Sequence, residues 1–221
     1  MSWSREKVLS RLREVGVVPI VRVTNPDDAF KAVEAVLTGG VPVVEITMGV
    51  PNALRVMEHV VERFGDSVLL GAGTVLDSET CRAALLAGAE FIVTPSLDLK
   101  VIETSRRYSK ACVPGALTPT EIVAAWQAGA DMVKVFPCGP VGGPQYIKSL
   151  RGPLPHIDFV PTGGVDLETA PDYIRAGAAA VAVGGELVSG KALREGKTEV
   201  ITANARKFLA AVRSAREGMK L

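Results

Sequence analysis

Ala176-Gly-Ala-Ala-Ala-Val-Ala-Val-Gly-Gly185 compresses into ten residues the punctuation that decides the fold: a helix stop at Gly177, a short apolar strand over Ala180 to Gly184, and a glycine pair beyond it. Glycine supplies the left-handed residue that ends a helix. A strand apolar on both alternating faces is one covered on both sides. The same stop recurs at Thr38-Gly39-Gly40, Ala87-Gly88-Ala89 and Ala128-Gly129-Ala130, each just before a strand, and the four sites are 48, 41 and 48 residues apart. Each step holds about two βα units, so eight units divide into four quasi-equivalent quarters.

Outward from these stops, strands are predicted over Val17 to Val23, Pro42 to Met48, Val68 to Gly73, Phe91 to Pro95, Ala111 to Ala116, Met132 to Pro137, Asp158 to Thr162 and Ala180 to Gly184, with helical stretches between them. Alternation of this kind without a composition break predicts an α/β chain folded as one (β/α)8 TIM barrel over residues 1–221. Ser4 to Val15 forms an extra N-terminal helix in this reading, and Gly196 to Arg216 the last one. An open doubly wound sheet is the alternative, but no GxGxxG follows a strand and no GxxxxGK[ST] loop is present.

With 221 residues, 48% hydrophobic and 22% charged, the chain can bury a sizeable core, which excludes a disordered protein. Its formal charge of +1 announces neither nucleic acid nor an anionic membrane, so any anion must be bound locally. Cys81, Cys112 and Cys138 form no CxxC and suit reduced thiols in a cytoplasmic protein. Met1 to Leu9 lacks the continuous apolar run of a signal peptide, and no stretch approaches a membrane span. Isolated His59 and His156 offer no metal cluster, so no metal or cofactor is expected. Trp3 and Trp126 read as packing residues, and nothing marks Cys138 as a nucleophile.

The informative residues in a barrel are polar ones on strands near their C-terminal ends. Lys134 lies in Met132-Val-Lys-Val-Phe136, Glu45 in Val43-Val-Glu-Ile-Thr47, and Arg22 in Ile20-Val-Arg-Val23. Desolvation favours the uncharged amine of a lysine, and an uncharged amine is the nucleophile of Schiff-base chemistry. Alternatively the Lys134 stem packs and its head snorkels to water. Glu45 shares a strand face with Thr47 and reads as an acid/base with a pKa raised toward neutrality, or as the counter-ion of Lys134 or Arg22. Lysine, glutamate and an arginine able to clamp a carboxylate suggest an α-keto acid bound as an imine.

Pro161-Thr162-Gly163-Gly164-Val165 follows the seventh strand and Val183-Gly184-Gly185 the eighth, the usual phosphate position of such barrels. The bland alternative is a pair of tight turns. Thr74, after Gly71-Ala-Gly73, reads as a donor to a substrate carboxylate or as the cap of the next helix.

In order and spacing, Val18-Pro-Ile-Val-Arg22, Gly39-Gly-Val41, Val44-Glu-Ile-Thr47, Gly71-Ala-Gly-Thr-Val75, Phe91-Ile-Val-Thr-Pro95, Pro114-Gly115, Thr118-Pro-Thr-Glu121, Val133-Lys-Val-Phe-Pro137, Gly143-Pro-Gln-Tyr-Ile-Lys148 and Val160-Pro-Thr-Gly-Gly-Val165 resemble one family. It is the 2-keto-3-deoxy-6-phosphogluconate (KDPG) and 4-hydroxy-2-oxoglutarate (KHG) aldolases, and the resemblance runs from about Val17 to Val188. It implies a class I aldolase with Lys134 as Schiff-base lysine, Glu45 as general acid/base, Thr74 on the pyruvyl carboxylate, and Pro95 and Phe136 lining that pocket. Thr162, Gly163, Gly164 and Gly185 match the phosphate end, and Arg22 takes an anion-binding role. Two departures stand out: Gly49, where some relatives carry arginine, and Gly185, where some carry serine.

The resemblance further implies a phosphorylated keto acid and pyruvate as small-molecule partners, and a homotrimer. The galactonate epimer of the substrate, an imine-free phosphate-binding isomerase or decarboxylase, and a non-catalytic metabolite sensor are the competing readings.

Overall fold

The computed structural model describes residues 3–219; Met1, Ser2, Lys220 and Leu221 lie outside the described residues. The strands are β1 (Val17–Val21), β2 (Val43–Thr47), β3 (Leu69–Gly73), β4 (Phe91–Val93), β5 (Ala111–Val113), β6 (Gly115–Ala116), β7 (Val133–Val135), β8 (Phe159–Pro161) and β9 (Val181–Val183). The helices are α1 (Arg5–Val15), α2 (Pro26–Thr38), α3 (Ala53–Phe64), α4 (Ser78–Leu86), α5 (Leu99–Arg107), α6 (Pro119–Gln127), α7 (Pro144–Arg151), α8 (Ala170–Arg175), α9 (Gly190–Arg194) and α10 (Thr198–Glu217). Every predicted strand is present, trimmed by a residue or more except where one splits in two. Arg22 falls just past the end of β1 and is exposed rather than lying on the strand. The last helix starts at Thr198, because Gly196 holds a left-handed φ of 71° that a helix cannot continue through.

All pairing is parallel, in a six-stranded sheet of order β5-β4-β3-β2-β1-β9 and a three-stranded sheet of order β6-β7-β8. The predicted strand Ala111 to Ala116 divides at Pro114, which has no N–H to give to a ladder. The Gly115 N–H instead donates to the Thr94 hydroxyl at 2.9 Å, and the Pro114 carbonyl accepts from Lys134 N at 2.9 Å. One further parallel bridge, Thr162 with Ala182, joins the end of β8 to β9. Both sheets contribute side chains to one interior, among them Val18, Phe91, Val113 and Val160.

Local sequence explains the crossings. Gly40, Gly88, Gly129 and Gly177 take φ between 85° and 100°, as the repeated stops require. Thr118-Pro-Thr-Glu121 is a capping box: the Thr118 side chain accepts from Glu121 N, and the Glu121 carboxylate accepts from Thr118 N at 2.8 Å.

The helix α1, capped by Ser4, lies across the N-terminal ends of the strands and buries Val8, Leu12 and Val15; Leu12 reaches the shared interior. Arg5 Nε donates to Asp131 Oδ1 at 2.7 Å while Asp131 Oδ2 accepts from Cys112 N at 2.9 Å, and Arg13 pairs with Asp158 at 2.7 Å. From α10, Arg216 donates to the carbonyls of Glu14 and Ala179, each at 2.8 Å. Asp131→Ala removes the acceptor of a guanidinium and of a buried amide together, so urea unfolding should show a loss of about 2 kcal/mol. Arg5→Ala should lose less, because Asp131 keeps the Cys112 amide; equal, negligible losses would show that α1 docks by apolar contact alone.

Candidate active site

Glu45 and Lys134 occupy the middle of β2 and β7, on strands from the two different sheets, and both side chains line the shared interior. Glu45 stands opposite Gly71 of β3 and Ile20 of β1; Lys134 stands opposite Gly115 of β6 and Val160 of β8. They are 1% and 4% exposed, so both charges are out of bulk water. The Glu45 carboxyl leans over Gly73, where any Cβ would overlap Oε1. Glycine at 73 is therefore required for this carboxyl position, and Glu45 Oε2 is left without a hydrogen-bond partner. Burial pushes the Glu45 carboxyl above its ordinary range, while the positive charges of Lys134 and then Arg22 pull it partly back. Lys134 Nζ lies 5.1 Å from the centroid of the Phe136 ring, two residues along the chain and just past β7.

Above this pair, at the C-terminal ends of the strands, a pocket of about 290 Å³ is lined by Arg22, Phe136, Thr162, Gly163, Gly184 and Gly185, among others. Thr162 lines both the pocket and the interior cavity. Gly163 and Gly164 have φ of 82° and 78°, which the loop after β8 demands of glycine. Gly184 and Gly185 are different: neither has a positive φ, and a Cβ on either would meet nothing within 4 Å. Turn geometry does not explain them; they keep space open beside Arg22.

Thr74 follows β3 with φ of 58°, a strained conformation for a β-branched residue and one that clusters at functional sites. It is not the helix cap: Asp77 caps α4, accepting from Thr80 N at 2.6 Å. Pro95 follows β4, with its backbone packed against Gly115 so closely that a Cβ there would overlap it. Thr74 and Pro95 therefore stand on the β3-β4 side of Glu45, whereas Arg22 and the glycines stand on the β1-β9 side. Gly164 does not line the pocket but packs on Gly139. Gly49 is exposed, with only Thr47 Oγ1 near its missing side chain, at 3.9 Å.

Cys138 is buried, and burial pushes its thiol up to about 11, far from a reactive thiolate. Among the described residues no three His, Cys, Asp or Glu side chains gather to hold a metal. No described helix is long and apolar enough to cross a membrane. Trp3 is partly buried against the core, but Trp126 corrects its expectation: it is 47% exposed, with its ring edge-on to His156 at 4.8 Å. Sequence reading passed over Thr94, whose hydroxyl also donates to the Ser96 carbonyl, and gave Thr47 no role of its own. Only the break at Pro114 hinted that a side chain would have to serve the Gly115 amide.

The family model for KDPG and KHG aldolase matches residues 8–204. The 2-dehydro-3-deoxy-6-phosphogalactonate aldolase of Escherichia coli is 38% identical over 172 residues, covering 77% of this chain and 83% of that protein. The 2-dehydro-3-deoxy-phosphogluconate aldolase of Haemophilus influenzae is 33% identical over 177 residues, covering 79% and 82%. A solved structure of KDPG aldolase from Legionella pneumophila, with pyruvate captured as a covalent carbinolamine intermediate, superposes with a TM-score of 0.84 at 26% identity, covering 90% of this chain and 96% of that one. With buried lysine and glutamate on facing strands and a match over nearly its whole length, the chain belongs to the KDPG and KHG aldolase family.

Proposed function

We propose that the protein is a class I aldolase that reversibly cleaves 2-keto-3-deoxy-6-phosphogluconate to pyruvate and glyceraldehyde 3-phosphate, and 4-hydroxy-2-oxoglutarate, as a second substrate, to pyruvate and glyoxylate. The observation that carries this reading is the burial of Lys134 and Glu45 on one interior beneath an open pocket. The reading takes residues 1–221 as one domain and the two sheets as a single closed (β/α)8 ring. The run of β5 into β6 across Pro114 and the Thr162-Ala182 bridge support that closure. It also takes the protein as a cytoplasmic homotrimer, and the exposed Leu76, Leu86 and Leu99 offer apolar surface for self-association.

In this mechanism Lys134 Nζ attacks the C2 ketone, and loss of water leaves a protonated imine that serves as the electron sink, so no step is assigned to a metal. Glu45 accepts the C4 hydroxyl proton as the C3–C4 bond breaks; its electron pair passes into the imine to give an enamine, and the aldehyde departs. The protonated Glu45 then returns a proton to C3, and hydrolysis frees pyruvate and Lys134. A carboxyl raised toward neutrality suits both directions of transfer. Thr74 and Pro95 take the pyruvyl carboxylate side, with Phe136 beside the imine. Arg22, with Thr162, Gly163 and Gly185, takes the phosphate, an assignment supported by their common pocket, with Gly164 behind it. The galactonate epimer is a second reading, favoured by the 38% identity to the Escherichia coli phosphogalactonate aldolase.

Incubation with pyruvate and sodium borohydride, followed by peptide mapping, should place one reduced adduct on Lys134, absent from a folded Lys134→Ala variant; no adduct on the folded wild type overturns the class I reading. Steady-state pyruvate release should fall on the order of 100-fold or more in Glu45→Gln, and an unchanged rate would leave Glu45 a counter-ion. For Arg22→Ala, KM for the phosphorylated substrate should rise about 10-fold or more with little change in borohydride trapping of free pyruvate. Weakened trapping would move Arg22 to the carboxylate instead.

A further inference from the structure

Among the described residues, four buried side-chain polar atoms have no hydrogen-bond partner, and two of them, Glu45 Oε2 and Thr47 Oγ1, belong to consecutive inward positions of one strand. Buried hydroxyls are nearly always bonded. Thr47 is 1% exposed, and a valine would fill the same volume without a group to desolvate, so its hydroxyl calls for a partner that arrives with a ligand.

Position identifies that partner. Side chains alternate along β2, so Thr47 falls on the same face as Glu45, one rung nearer the C-terminal end of the strand. Its partner on β3 is Gly73, the residue over which the Glu45 carboxyl leans, so the Thr47 backbone and the Glu45 carboxyl lie at one level of the sheet. On β3 the positions opposite both residues are glycines, Gly71 and Gly73, and Gly73 leads directly into the strained Thr74.

We infer that Thr47 is a third catalytic residue of this centre, its hydroxyl donating to the substrate oxygen that exchanges a proton with Glu45 and so fixing that oxygen against the carboxyl. The inference rests on the aldolase reading above. In the cleavage direction the C4 oxygen passes its proton to Glu45 and becomes the aldehyde carbonyl oxygen; Thr47 keeps its own proton and holds the oxygen in line. A donor so placed matters more as negative charge develops on that oxygen than in the resting complex.

Thr47→Val, which keeps shape and removes the hydroxyl, should lower kcat for cleavage by roughly 10- to 30-fold with KM changed less than about 2-fold. Thr47→Ser should return kcat to within about 3-fold of wild type, because it restores the donor. Borohydride trapping of pyruvate on Lys134 should stay at full yield in both variants, and thermal unfolding reports whether each is folded; Thr47→Ala replaces the valine variant if that one is not. Wild-type kcat in a folded Thr47→Val or Thr47→Ala, or loss that serine does not recover, overturns the role of Thr47 while wild-type trapping leaves the aldolase reading standing. Failure of the wild type itself to trap pyruvate overturns both.

Discussion

A glutamate and a lysine held out of water across a shared interior set the terms for the rest of this structure. Glu45 and Lys134 are surrounded by Val18, Phe91, Val93, Val113, Val160 and Ala182. An isolated ion in such surroundings is strongly disfavoured, and the positive charge of Lys134 acts on the Glu45 carboxyl from across the interior. Attraction to Lys134 does not fully offset the desolvation of Glu45, whose carboxyl stays raised. The glycines around the pair follow from this arrangement: Gly73 clears room for the carboxyl, and Gly115 lets the Pro95 backbone close over the strand beside Lys134. A core built for stability alone would fill those positions with side chains.

The two ends of the strands divide the work. At the N-terminal ends lie ion pairs and satisfied backbone groups: Arg5 with Asp131, Arg13 with Asp158, and Arg216 on the Glu14 and Ala179 carbonyls. Toward the C-terminal ends stand features that cost stability, namely a threonine at positive φ, the orphaned polar atoms of Glu45 and Thr47, and glycines that leave space unfilled.

Much of this was legible in the chain, because its signals are local. Four left-handed glycine stops and apolar strands between them specify alternating parallel structure, and a charge in the middle of such a strand marks itself. Relations between strands were less accessible. That Thr47 stands opposite Gly73, and that the Glu45 carboxyl occupies the space over that glycine, depend on register, which no local pattern states. The bond from Gly115 to Thr94 spans 21 residues and exists because Pro114 interrupts a ladder. Trp126 misled for a related reason: apolar character predicts burial only on average, and this ring found His156 on an exposed face. Arg22 sits one residue beyond β1, where the side chain is free to turn to the pocket that Gly184 and Gly185 keep open.

The helix α1 has a consequence for traffic. Lying across the N-terminal ends of the strands with Leu12 in the interior, it is a stopper, and the open pocket lies at the other end, beside Thr162. Under the proposed imine mechanism the fragment tethered to Lys134 would be the last to leave, because the aldehyde fragment would lie on the side of the pocket. In that mechanism departure order is a matter of plumbing rather than of relative affinity: the aldehyde piece would go first, and the pyruvyl piece would wait for its bond to Lys134 to be released.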